Sequence, residues 1–269
     1  MSARAATQVS GEKLRVRMYR VGFGDFFLLT LMTKEAPLHI LIDCGVHAGD
    51  LGSIAEAVAD MARETDRHLS LVVVTHRHAD HISGFATRAK EFAGFTVDAI
   101  WMSWWDDPGE KAAVDAQNNL TLLATQVQVA LAARDDEAGK QALRMAENIT
   151  GPLGAVGGGN AAALELLRRP GFKHAPKPRY WKAGDAPELP PALVKAGLSA
   201  QILGPPISPE LLKQMSRSSE EYLAVAGEGA SAGKVRPFAE HWRTIALAHI
   251  VQFSDLGEQV NGKRRRRKR

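Results

Sequence analysis

The chain has 269 residues, 45% of them hydrophobic and 24% charged, which suits one large globular domain or two small ones with a sizeable core. The formal net charge is +4, but the last seven residues, Lys263 to Arg269, are all basic, so residues 1–262 carry a net −3 and the basic character describes a tail, not a binding face. A single cysteine excludes an internal disulfide, the first twenty residues lack an apolar signal core, and no run approaches the about 18 apolar residues of a membrane span, so a soluble cytoplasmic protein with no membrane association is expected.

Residues 1–13 are small and polar and read as a disordered N-terminus, followed by one domain over 14–262 and the basic tail 263–269. Leu14-Arg15-Val16-Arg17-Met18 alternates apolar with basic, which predicts a half-buried strand whose arginines face water. Gly22-Phe23-Gly24-Asp25 is a turn, Phe26 to Met32 a second strand, Lys34 to Pro37 a hairpin turn, and Leu38 to Ile42 a third strand ending at Asp43. Cys44 has no base linked to it by motif, so it reads as a small buried residue at a strand end in preference to a nucleophile. Leu51, Ile54, Ala55, Val58, Met61 and Ala62 recur at helical spacing, and the unbroken run Leu69 to Val74 reads as a buried parallel strand, which gives β-α-β order.

Thr75-His76-Arg77-His78-Ala79-Asp80-His81 follows that strand directly, at the edge where α/β proteins collect ligands. His76 and His78 are two apart, so in extended chain they project to one side and can share an ion, and neutral imidazole is a preferred zinc ligand. Asp80 and His81 come after the turn and read as ligands of a second ion, or as groups that orient a water bound to the metal; Asp80 is the candidate catalytic residue. The alternative for this stretch is a polar loop with surface histidines.

Beyond the motif, Ile82 to Phe92 reads as a helix and Thr96 to Trp101 as a strand. Its exit carries Trp104-Trp105-Asp106-Asp107, where the indoles form either a substrate wall or core packing and either aspartate is a minor ligand candidate. Glu110 to Asn148 predicts two helices breaking near Asp135 to Gly139, with Leu120, Leu123, Val127 and Leu131 as a core row, inside a helical insertion over about 109–170 that is a lid or a partner surface. Gly151 to Gly159 is a loop, 160–169 a short helix, and 170–178 an irregular link with an exposed His174. Leu198 to Leu203 reads as a strand, then a short helix from Pro209, a loose segment over 227–233, and renewed order over 236–243 and 245–253.

His76-x-His78-x-Asp80-His81 after a hydrophobic strand, with Asp43 in Leu41-Ile42-Asp43-Cys44-Gly45, resembles the metallo-β-lactamase-fold hydrolases. Val21 to Phe27 and Ile202-Leu203-Gly204-Pro205-Pro206 are more similar to the competence-type, DNA-uptake branch. The resemblance covers mainly the first 105 or so residues. It implies an α/β fold of the αββα sandwich type and a zinc-dependent hydrolase with one or two ions, iron or manganese being less favoured occupants. A metal-bound hydroxide would attack a phosphodiester or other ester-type bond. It also implies that Asp43 braces the metal loop by accepting hydrogen bonds and that Asp25 lies close to it; a cap and an ordinary turn are the respective alternatives.

The late ligands of that pattern are not found: no Gly-Asp strand end follows residue 206, and His241, His249 and Asp255 are the only late candidates. A chain incomplete at its C-terminus through truncation or frame change is therefore expected, and the alternative function is a catalytically impaired remnant acting as a metal-binding or interaction module. The tail could instead be a localisation signal, or an arm making non-specific nucleic-acid contact. The sequence leaves the oligomeric state open.

Overall fold

The computed structural model describes residues 13–47, 51–151, 159–169 and 171–207. Elements follow the chain as β1 (Leu14–Met18), β2 (Phe26–Leu31), β3 (Leu38–Cys44), α1 (Ile54–Glu64), β4 (His68–Leu69), β5 (Leu71–Val74), α2 (Ala79–Thr87), α3 (Ala89–Phe92), β6 (Thr96–Val97) and β7 (Ile100–Ser103). A single 3-10 turn at Trp104–Asp106 leads to α4 (Lys111–Leu131), α5 (Glu137–Thr150), α6 (Gly159–Arg168), β8 (Arg179–Trp181) and α7 (Pro191–Lys195). The result is a mixed α/β fold around a six-stranded sheet of order β1-β2-β3-β5-β7-β8, with β4 and β6 forming a separate two-stranded sheet. β1, β2 and β3 are antiparallel, whereas β3, β5, β7 and β8 are parallel, so β3, β5, β7 and β8 all end at one sheet edge.

The sheet is apolar on both faces, as expected where helices cross over a parallel sheet. One face sets Phe26, Leu28, Leu41, Val72, Ile100 and Met102 against Val58 and Met61 of α1, Ile82 and Phe85 of α2, Phe92 of α3 and Leu164 and Leu167 of α6. Each such side chain fully buried stabilises the fold by roughly 1.5–3 kcal/mol. The other face carries Leu31, Ile40, Leu71 and Trp101, which Leu189 and Leu193 cover. The second large sheet of an αββα sandwich is not present among the described residues.

Three sequence expectations are corrected. On β1 the arginines do not face water: Arg17 pairs with Asp60 at 2.8 Å and Glu64 at 3.0 Å, and Arg15 with Glu64 at 3.3 Å, while Leu14, Val16 and Met18 are 52%, 58% and 72% exposed. Alternation shows that a strand has two faces but not which one is covered, and here the covering helix α1 presents acids. In α4 the buried positions are Ala113, Gln117, Ala124, Gln128 and Leu131, so of the predicted core row only Leu131 is buried while Leu120 and Leu123 are exposed. Residues 198–203 do not form a strand; Ile202 instead bonds to the turn at Gly184 and Asp185. The ladder position beside β7 is taken by β8, whose Trp181 meets Trp101 edge-on at 5.8 Å between ring centroids.

The predicted insertion divides physically. α4 and α5 pack on each other, but Ala163, Leu164, Leu166 and Leu167 of α6 belong to the main core. Of the sequence expectations, those for a disordered N-terminus over 1–13 (residue 13 apart), a loop interior over 152–158, a helix from Pro209, the segments over 227–253, His241, His249, Asp255 and the basic tail fall outside the described residues. No described helix is long and apolar enough to cross a membrane.

Candidate metal centre

β5 ends at Val74, and Thr75 to His78 leave the sheet extended, with His78 as N-cap of α2 at φ −73° and ψ 155°. Asp80 and His81 therefore occupy the first helical turn, so the helix predicted from Ile82 begins three residues earlier, at Ala79. An acid there is favoured by the helix dipole. The turn brings both back over the extended segment: the His76 and His81 rings lie 3.8 Å apart between centroids, and His76 and His78 meet edge-on at 4.7 Å.

β3 and β5 pair in parallel, so Asp43 at the end of β3 reaches the same tip. It is 2% exposed and adopts a left-handed φ of 53°. Its Oδ1 accepts the Thr75 N–H at 2.8 Å, and its Oδ2 accepts the Thr75 hydroxyl at 2.6 Å and lies 2.8 Å from His81 Nδ1. Asp25 arrives from the turn before β2; its N–H donates to the Asp80 carbonyl at 2.8 Å, and its Oδ2 is 3.6 Å from His81 Nδ1. This convergence needs bare backbone. A Cβ on Gly45 would lie 2.3 Å from His81 N, and one on Gly24 would lie 2.4 Å from the Gly45 carbonyl oxygen.

Two groups of donors result among the described residues: His76, Asp80 and His81, and Asp25, Asp43 and His81, the ligand atoms of each group lying within 4.8 Å of one another. His78 belongs to neither, although its ring touches that of His76. The grouping differs from the sequence expectation, which paired His76 with His78 and Asp80 with His81.

Burial and the neighbouring His81 lower the pKa of His76, and burial with His76 pushes His78 down to about 4, so both imidazoles are neutral with a lone pair free at pH 7. Burial also lowers His81, but hydrogen bonds with Asp43 and Asp80 outweigh it and hold the ring's pKa at about 10. Asp80 is raised by burial, yet its bonds with His81 and Asn148 more than reverse this and leave its pKa below the usual carboxylate value.

The donor set fits a divalent ion on its own chemistry. Mixed imidazole and carboxylate ligands suit zinc and also iron. Asp80 Oδ1 is buried without a hydrogen-bond partner, while its Oδ2 is 3.5 Å from His81 Nε2. A buried carboxylate oxygen left bare is costly, and a cation beside it would satisfy it. The carboxylates that favour a proton on His81 would favour a metal ion in the same place.

Several residues of this centre had no role in the sequence reading. Asn148, near the end of α5, accepts the Asp80 N–H through Oδ1 at 3.0 Å, which ties the helical insertion to the motif. Ser83 of α2 exchanges hydrogen bonds with the Val46 backbone at 2.9 and 2.7 Å. Arg77, between the two histidines, turns away from them, donates to Gln117 of α4 and lies 3.9 Å from Asp106 Oδ1. Spacing carries no signal for these long-range partners. Asp106 is 1% exposed, its pKa is raised by burial against the pull of Arg77, and it belongs to neither donor group. Trp104 is buried, and its Nε1 donates to the Pro205 carbonyl at 2.9 Å. His174 is exposed, and Cys44 is fully buried with a thiol pKa raised first by burial and then by Asp43.

No family model matches the chain, and no curated protein does. Among solved structures it is similar to a beta-lactamase domain protein from Burkholderia ambifaria, with 17% identity and a TM-score of 0.32 over 68% of this chain and 46% of that one. The chain thus spans about half the length of that protein. The chemistry of the centre rests on its own donors.

Proposed function

We propose that this cluster is the divalent-metal site of a hydrolase of the metallo-β-lactamase type, acting on a phosphodiester or a related ester. The observation that carries the reading is the grouping of His76, Asp80 and His81 at one strand tip with a buried, unpartnered Asp80 oxygen. His76, Asp80 and His81 would hold an ion, with His78 beside them and Asp25 and Asp43 available around His81. When bound, zinc would supply Lewis-acid chemistry, acidifying water and polarising the ester oxygen. The chain's own contribution is placement. Asp43 fixes the His81 ring and the Thr75 backbone, Asn148 holds the start of α2, and the neutral His76 and His78 present lone pairs without first losing a proton.

The phosphodiester preference follows from the competence-type sequence resemblance and not from site chemistry. Purified protein is expected to contain zinc and to hydrolyse bis(p-nitrophenyl) phosphate, with His76→Ala losing both while keeping its circular dichroism spectrum. Protein that remains metal-free after incubation with zinc, iron and manganese overturns the assignment. A second reading, a metal-binding module without turnover, is favoured by one observation: the donors found among the described residues all fall between Asp25 and His81. Bound metal without hydrolysis selects it.

A further inference from the structure

The edge that carries the histidine cluster continues past β7 and β8, and at their ends the chain forms a concavity of about 400 Å³. It is lined by Trp104, Tyr180 and Trp181 together with Asp107, Glu110 and Asp185. Lys182 is the single basic residue of the lining, and it is exposed. None of these residues belongs to the donor groups of the metal centre.

The carboxylates are only partly used by the fold. Asp107 Oδ1 accepts the Gly109 N–H at 2.8 Å, and Asp185 Oδ2 accepts the Lys182 N–H at 3.0 Å, and among the described residues no hydrogen bond uses the other oxygen of either. Glu110 is the N-cap of α4, but its side chain makes no capping bond. Trp104, Tyr180 and Trp181 give the lining its aromatic character. The volume is that of a small-ligand site. Indole and phenol faces attract cations, tryptophan most strongly, and three acids against one base give the lining a net negative charge. An anion would meet that charge unfavourably, and a neutral ligand would gain nothing from it.

We propose that this concavity binds a compact organic cation, an alkylammonium group held between the Trp104, Tyr180 and Trp181 rings and the Asp107, Glu110 and Asp185 carboxylates. The site is separate from the metal cluster, so its occupancy does not depend on metal.

The test is calorimetric titration of the full chain with choline and with its neutral isostere 3,3-dimethylbutan-1-ol. Choline is expected to bind at least about tenfold more tightly than the alcohol, and less tightly as salt is raised. Asp185→Asn keeps an acceptor for the Lys182 N–H and is expected to weaken choline binding severalfold. Trp181→Ala is expected to abolish it, with Trp181→Phe keeping part of it should the alanine variant misfold. His76→Ala and chelator-treated protein are expected to bind choline like the wild type, which separates this proposal from the hydrolase reading. Equal binding of choline and the alcohol, tighter binding of a neutral sugar, unchanged affinity in Asp185→Asn and both Trp181 variants, or no choline binding in the millimolar range overturns it.

Discussion

Asp43 gives the most discriminating test of how the histidine segment is held. Its carboxylate takes two hydrogen bonds from Thr75 and lies 2.8 Å from His81 Nδ1, all from a backbone at φ 53°. Asn tolerates that conformation nearly as well as Asp, so Asp43→Asn isolates the side-chain chemistry. One amide oxygen can still serve the Thr75 N–H. The amide nitrogen then faces the Thr75 hydroxyl and His81, which must reverse their donor roles, and the charge is gone. Two bonds fall from about 1.5–3 kcal/mol each for a charged acceptor to about 0.5–1.5 each for neutral partners, a loss of roughly 2–3 kcal/mol. Asp43→Ala removes every acceptor, strands the Thr75 N–H and adds about 1–2 kcal/mol of left-handed strain, so roughly 5 kcal/mol is expected. Urea unfolding followed by circular dichroism, in chelator so that metal loss does not contribute, measures both. The reasoning is refuted if Asp43→Asn lies within about 0.5 kcal/mol of wild type, or if the alanine variant is no worse than the asparagine one.

Other perturbations separate further parts of the argument. Gly45→Ala places a Cβ 2.3 Å from His81 N, a backbone atom that cannot swing aside; a loss of about 1–3 kcal/mol is expected in thermal unfolding, together with weakened zinc binding, and a neutral outcome refutes the close approach. Asn148→Ala leaves the Asp80 N–H without its acceptor at 3.0 Å; a stability cost of about 1 kcal/mol and roughly tenfold weaker zinc binding are expected from unfolding and metal titration. Arg17→Ala breaks pairs to Asp60 and Glu64 that are only partly shielded, so about 1 kcal/mol is expected in urea unfolding, whereas Val16→Thr, at a 58% exposed position, stays within about 0.5 kcal/mol. The opposite order would restore the arginines-outward face of β1.

The elements near the motif were legible because each has a strong local signal. The run at β5, the helical spacing of α1 and the histidine-rich stretch fall within about one turn of their predicted places. What failed was information carried between segments. Which face of β1 is covered depends on Asp60 and Glu64, over forty residues away. β8 has only three residues and draws its stability from pairing with β7, so no window of its own sequence marks it. In α4 the buried glutamines Gln117 and Gln128 find partners in the 3-10 turn and at the end of α5. A hydrophobicity pattern cannot anticipate polar side chains buried because their partners are already waiting.

The motif itself shows why the donors grouped in the folded chain differ from those that spacing alone would pair. Read as extended chain, His76 and His78 share a side and Asp80 and His81 are left to act elsewhere. The backbone changes conformation at His78, extended before it and helical after it, and a helix rises only about 1.5 Å per residue. Its first turn therefore folds back on the strand tip, and positions four and five residues after His76 meet it while the one two residues after it does not join the group. Asp43 reinforces that choice, because it holds Thr75 before the transition and His81 after it with one carboxylate. Which donors meet at this tip is thus set by where α2 starts. That start is fixed by contacts from β3, the Asp25 turn and Asn148, none of which is part of the histidine motif.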